Sequence, residues 1–153
     1  MGASMTEAQQ IRIQLLHPEA KVPTYGSEEA AGADLYAVFE GEERTIMPGE
    51  RLIVDTGVAI ELNPGTEAQV RPRSGLAAKH GLTVVNAPGT IDSDYRGEIK
   101  VILLNTGDRG IILKKGERIA QMVIAPVIRG VFTIAESLDD TSRGENGFGS
   151  TGK

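Results

Sequence analysis

Glycine, proline and asparagine interrupt this chain about every 8 to 12 residues, and the runs between them are short and β-branched. Residues 11–16 alternate as Ile-Arg-Ile-Gln-Leu-Leu. Comparable runs occupy residues 33–38, 51–55, 58–62, 67–71, 82–85, 97–105, 111–113, 118–127 and 131–135. That spacing suits strands and turns; it leaves little room for βαβ units, whose crossovers need about a dozen residues each. The 19 glycines and 7 prolines are spread along 153 residues, so they read as turn punctuation and not as a low-complexity block. The helix the pattern supports best is residues 74–80, with Ser74 placed to cap it and Gly81 to stop it. The expected architecture is one all-β domain, a sandwich or barrel with one short helix.

Composition removes several function classes. Cysteine is absent, which excludes disulfide scaffolds, thiolate metal sites and cysteine nucleophiles. The 16 basic and 21 acidic residues leave a net charge of −5, the wrong sign for a nucleic-acid surface. No apolar run approaches the roughly 20 residues of a membrane span, and no signal-peptide pattern is visible, so a cytoplasmic location and no membrane partner are expected. Met1-Gly2-Ala3-Ser4 ahead of Met5 reads as a vector scar, and residues 1–9 are expected to be a disordered start. Residues 10–138 form the expected β-rich domain. Residues 139–153 change character: Phe148 is their large apolar side chain apart from a run of Gly, Ser, Thr and charges. Such a segment cannot offset its own ordering entropy and reads as a flexible arm that orders only on a ligand.

Several local patterns bear on chemistry. Gly147 to Lys153 matches both the G-x-x-x-x-G-K and G-x-G-x-x-G spacings, but no helix can follow Lys153, so neither fingerprint applies. The glycine amides, two hydroxyls, Arg143 and Lys153 can still cradle phosphate; the bland alternative is a solvated tail. Asp92-Ser93-Asp94 begins like a calcium loop, yet Arg96 and Leu103 occupy later ligand positions, which rejects calcium. A carboxylate in that turn can position a water or accept a sugar hydroxyl, or simply make an Asx turn. Arg73-Ser74-Gly75 precedes the expected helix, where an anion can be held bidentately, or where a capped helix simply carries a solvated arginine. His17 and His80 share no metal-ligand spacing, and no Gly-x-Ser-x-Gly elbow occurs.

The order of these segments is more specific than any one of them. Ala31-Gly32-Ala33-Asp34-Leu35, Arg73-Ser74-Gly75-Leu76-Ala77, Gly89-Thr90-Ile91-Asp92-Ser93-Asp94-Tyr95-Arg96-Gly97, Gly116-Glu117-Arg118-Ile119-Ala120-Gln121 and the stretch from Arg143 to Gly152 resemble the five ordered motifs of the trimeric dUTPases, of a bacterial-like kind. The resemblance runs from about Ile11 to the C-terminus. It implies a jelly-roll-like homotrimer whose active sites are shared between subunits and closed by the C-terminal arm. It implies Mg2+-assisted hydrolysis of dUTP to dUMP and pyrophosphate by water attack on the α-phosphorus, limiting uracil in DNA and supplying dUMP for dTMP synthesis.

By the same resemblance, Asp92 orients the water and meets the deoxyribose 3′-hydroxyl, and Tyr95 lies against the sugar and excludes a 2′-hydroxyl. Asn86 reads the uracil edge beside Gly89 and backbone groups around Thr90, Ile91 and Lys100. Arg73, Ser74, Gly75 and Gln121 meet phosphates. Phe148, with Gly149, stacks on uracil, and Arg143, Ser150 and Thr151 hold the outer phosphates. Asp34 supports the metal through water. Two other readings stand beside this one. A dCTP deaminase-like enzyme of the same fold would need a glutamate placed for amine chemistry and a different arm. A non-catalytic dUTPase-like module that binds a protein would have lost Asp92, Tyr95 or the arm. The presence of all three favours the hydrolase.

Overall fold

The computed structural model describes residues 8–149, which form twelve strands and one helix. In chain order these are β1 (Arg12–Leu15), β2 (Thr24–Tyr25), β3 (Gly32–Tyr36), β4 (Glu43–Ile46), β5 (Arg51–Asp55), β6 (Val58–Glu61), β7 (Thr66–Arg71), α1 (Ser74–His80), β8 (Leu82–Val84), β9 (Gly89–Ile91), β10 (Lys100–Asn105), β11 (Ile111–Lys114) and β12 (Arg118–Pro126). Every strand pairing among them is antiparallel. The strands lie in four open sheets, ordered β2-β3-β12-β7-β9, β5-β10-β8, β1-β6 and β11-β4. The architecture is a jelly-roll-like sandwich and not a closed barrel.

The core follows from period-two alternation. In β10, Val101 and Leu103 turn inward while Lys100, Ile102 and Leu104 turn out. Leu35, Ile46, Leu82, Leu103, Leu113 and Ile119 are wholly buried and come from six different strands. Burial of each is worth roughly 1.5–3 kcal/mol. In β12 the register to β3 slips between Arg118 and Ala120. This bulge lets Ile119 and Ala120, neighbours in sequence, both be buried, which strict alternation forbids.

A buried amide ties three segments together. Asn105 is fully buried. Its Nδ2 donates to the carbonyls of Ile46 at 2.9 Å and Arg109 at 2.7 Å, and its Oδ1 accepts from the Gly107 amide at 2.8 Å. Asn105→Ala leaves the buried Ile46 carbonyl and the part-buried Arg109 carbonyl and Gly107 amide without this partner. The expected cost is about 3 kcal/mol, read from urea unfolding at fixed protein concentration. A loss under about 1 kcal/mol would show that those groups find other partners.

Helix α1 spans the seven residues expected, but its boundary differs in detail. Arg73, in extended conformation, is the N-cap, and no side chain caps the helix; Ser74 is the first helical residue, not the cap. Gly81 ends it with φ 70°. A Cβ there would lie 2.8 Å from the Gly107 amide nitrogen, so both the dihedral and the close approach require glycine. The strand expected at residues 131–135 does not form. Residues 127–149 carry no strand or helix, and Ile128, Val131, Phe132 and Ile134 are at least 92% exposed. Their β propensity finds no neighbouring strand to pair with. No helix among the described residues is long and apolar enough to cross a membrane.

Candidate active site

The five-stranded sheet lines up four polar side chains in one row. Register pairs Thr24 with Asp34, Asp34 with Gln121, and Gln121 with Arg71, and directly opposed residues share a face. Asp34 is 14% exposed and sits between two arginines: its Oδ1 is 3.5 Å from Arg73 Nε and its Oδ2 3.5 Å from Arg118 Nη1. Gln121 Nε2 donates to the Pro72 carbonyl at 3.0 Å. That bond fixes the chain just where β7 hands over to Arg73, Ser74 and Gly75. Asp34, Arg73 and Gln121, drawn from three separate sequence segments, thus meet across the central strands of the sheet. The guanidiniums supply the positive field a polyphosphate needs. Asp34 is the carboxylate placed to serve a cation there. With both oxygens facing guanidinium, it suits contact with a hydrated ion through water better than direct ligation. Among the described residues no group of three or more His, Asp or Glu side chains could hold a metal by itself.

On the other side of β7 from β12, β9 pairs Thr90 with Gln69 and Gly89 with Val70. It leads into an open cleft of ≈ 240 Å³ lined by Thr90, Ile91, Asp92, Tyr95, Glu98, Ile99 and Lys100. Five of these seven were expected from sequence. Asp92 is exposed on the turn after β9, and its carbonyl accepts from the Tyr95 amide at 3.1 Å. The Tyr95 hydroxyl donates to the Glu98 carbonyl at 2.8 Å. The far wall is tied down from below: the Gly57 amide donates to Glu98 Oε2 at 2.9 Å, and the buried Thr56 hydroxyl donates to the Ile99 carbonyl at 2.6 Å. Lys100 Nζ lies 3.4 Å from Asp55 Oδ1. This half-exposed pair adds little stability, but it directs the lysine head to β5 and leaves the backbone facing the cleft.

Asn86 is exposed in the turn after β8, and its Nδ2 lies against Gly89, where a Cβ would stand 3.2 Å away. Gln121 is similarly close to Gly32, where a Cβ would be 2.9 Å from Cδ. The arm residues are not brought to the cleft. Arg143 Nε bonds the Asn146 carbonyl at 2.8 Å, Phe148 is fully exposed with φ 53°, and Gly149 has φ 77°. Ser150 and Thr151 lie outside the described residues. Sequence reading missed Glu98, Ile99 and Arg118. Period-two spacing from Lys100 was the available signal for Glu98, whereas Arg118 becomes visible only through the β3–β12 pairing.

A larger open depression of ≈ 370 Å³ lies over β1 and β6, lined by Arg12, Ile13, Gln14, Ala59, Ile60, Glu61 and Arg96. Arg12 and Arg96 both reach Glu61 there, at 3.6 and 3.8 Å, and its lining holds no aromatic side chain. The smaller cleft holds the carboxylate and tyrosine and is the better candidate.

Comparison with known proteins identifies the family. The family model described as dUTPase matches residues 18–152. The deoxyuridine 5′-triphosphate nucleotidohydrolase of Nautilia profundicola is 55% identical over 143 residues, spanning 94% of this chain and 99% of that protein. The enzyme of the same name from Syntrophotalea carbinolica is 54% identical over 142 residues, 93% and 96% of the two chains. Among solved structures, a Staphylococcus bacteriophage 80alpha dUTPase with dUpNHpp superposes with a TM-score of 0.85 at 24% identity, covering 94% of this chain and 99% of that one. A dUTPase from phage phi11 of S. aureus, described with a structural Mg(II) ion, gives 0.77 at 21% identity, covering 86% and 100%.

Proposed function

The chain belongs to the dUTPase family, and from that premise we propose that it hydrolyses dUTP to dUMP and pyrophosphate, limiting uracil in DNA and supplying dUMP for dTMP synthesis. The observation that carries this reading is the presence of two unlike surfaces on one five-stranded sheet. A cationic cluster holds Arg73, Arg118 and Gln121 around Asp34. A separate cleft, where β9 leaves β7, holds Asp92 and Tyr95. The first suits a polyphosphate and the second a sugar and a nucleophilic water.

In this mechanism Asp92 accepts a proton from water and aligns it for in-line attack on the α-phosphorus. It also accepts from the deoxyribose 3′-hydroxyl. Tyr95 lies against C2′ of the sugar and excludes a hydroxyl there. The Asn86 amide offers one donor and one acceptor to the uracil edge, assisted by backbone groups of Thr90, Ile91 and Lys100 and by close approach at Gly89. Arg73, Ser74, Gly75 and Gln121 hold phosphate oxygens. From the arm, Phe148 and Gly149 cover the base, and Arg143, Ser150 and Thr151 hold the outer phosphates, excluding bulk water on closure. Asp34 would hold Mg2+ through water, and the ion would supply neutralisation of the triphosphate charge.

We assign residues 10–138 to the body and 139–153 to the arm, and the assembly to a homotrimer with its active sites shared between subunits. The exposed segment after β12 supports this. Full cover of Val131, Phe132, Ile134 and Leu138 is worth roughly 6–12 kcal/mol in transfer terms, of the same order as the cost of association.

The reading is tested by pyrophosphate release from dUTP, dTTP, dCTP and UTP. The expected kcat/KM for dUTP exceeds those for dCTP and UTP by about a hundredfold or more, because an amide set for uracil leaves unpaired groups against cytosine and Tyr95 excludes the 2′-hydroxyl of UTP. Equal rates on all four would overturn the assignment.

A further inference from the structure

The Tyr95 ring lies back across Gly97. A Cβ built on Gly97 would stand 2.6 Å from Tyr95 Cζ and 2.9 Å from Cε1, and closer still to the hydroxyl oxygen. Real Cβ atoms essentially never come within 3.0 Å of such a neighbour. Gly97 is not among the residues with positive φ, so its backbone is one that any residue adopts. The ring alone is what excludes a side chain. The ring is 45% exposed, so packing against the body does not fix it. Two contacts anchor it: the bare Cα of Gly97 beneath it and the hydroxyl bond to the Glu98 carbonyl at 2.8 Å.

We propose that Gly97 is a specificity-determining positioning residue: its missing side chain is the seat that holds the Tyr95 ring at the depth where it closes the sugar face of the cleft. The proposal rests on the reading of Tyr95 as the group that excludes a 2′-hydroxyl. A methyl at position 97 cannot coexist with the ring where it lies, and the ring is the movable partner. It shifts by about 1 Å, a displacement of the size that costs up to a hundredfold at a reacting centre. The shift lifts the hydroxyl from the Glu98 carbonyl and changes the space left for a sugar substituent. Gly97 never touches substrate; it acts through the ring.

The test is pyrophosphate release from dUTP and UTP by Gly97→Ala in the full chain. The expected result is a fall of about tenfold or more in the dUTP-over-UTP ratio of kcat/KM. Because the effect passes through the ring, Gly97→Ala should leave the ratio unchanged in a Tyr95→Ala background, a non-additivity that a merely structural role does not produce. Tyr95→Phe adds no atom and keeps the ring on its seat; it should retain the ratio to within about threefold. If Gly97→Ala fails to fold, this variant decides the matter. Equal slowing on both substrates, an undiminished effect without the ring, or a Tyr95→Phe loss as large as that of Tyr95→Ala would each overturn the role of Gly97. If Tyr95→Ala itself leaves the ratio untouched, the reading of Tyr95 fails and the seat falls with it; a changed ratio there with none in Gly97→Ala condemns the seat alone.

Discussion

Asp92→Asn lowers kcat on dUTP by about a thousandfold and leaves the fold intact. The amide has the carboxylate's shape and keeps hydrogen-bonding capacity toward a sugar hydroxyl, but it cannot take a proton from water. Structural cost is small because Asp92 is exposed, and the bond from the Tyr95 amide goes to its backbone carbonyl, which asparagine retains. Binding of a non-hydrolysable dUTP analogue should therefore change far less than turnover. Single-turnover kinetics with a parallel binding titration separate the two. Turnover at the parental rate would remove Asp92 from the chemistry and transfer the question to Asp94, two residues on in the same turn.

Ending the chain at residue 142 has the second large effect: kcat/KM on dUTP falls by about a hundredfold at an unchanged thermal midpoint. The two outcomes separate because bonds at the start of the arm are local. Arg143 bonds Asn146, and the Gly144 amide bonds the Thr141 hydroxyl at 3.0 Å. Phe148 touches nothing that its removal would expose. What is lost is the cover over the base and the cationic grip on the outer phosphates. A truncated protein that hydrolyses dUTP with undiminished kcat/KM would sink the arm's assignment. A truncated protein that unfolds would show that the segment belongs to the body.

Strands β5, β6, β7, β10 and β12 were legible in sequence as short β-branched runs bounded by turn residues, and the reason is local. In β7 alternation also states which face is buried, with Ala68 and Val70 inward; β6 is buried at three consecutive positions and β12 carries a bulge, so there it does not. Strands β2, β4 and β9 were not legible. Thr24–Tyr25 is two residues long, and Glu43–Ile46 is polar at three of four positions and takes its conformation from β11 across the ladder. Gly89–Ile91 opens on a glycine that reads as a turn until β7 is seen beside it. Residues 131–135 err the other way, with strand-forming side chains and no partner in the described part of the chain. At the candidate site, Thr90, Ile91, Asp92, Tyr95 and Lys100 are close in sequence and so were found together. The pairing of Arg118 with Asp34 crosses 84 positions and depends on a register that a bulge has shifted. The glycine contacts follow the same logic. Composition counted these residues as turns, but Gly32, Gly89 and Gly97 each sit against a side chain assigned to substrate, a relation that only three dimensions express.

The uncovered stretch after β12 has a consequence for how the protein survives its own synthesis. Val131-Phe132-Thr133-Ile134-Ala135 is short, uncharged, free of proline and rich in strand formers, the composition that seeds intermolecular cross-β stacking. It is synthesised after the strands of the body, and on the proposed trimer it stays a sticky end until another chain receives it. The flanks answer that hazard. Arg129 precedes the stretch, and Glu136, Asp139 and Asp140 follow it, charged gatekeepers that oppose stacking of identical copies in register. The segment is thus adhesive enough to be captured by a fitting surface and guarded enough not to capture itself.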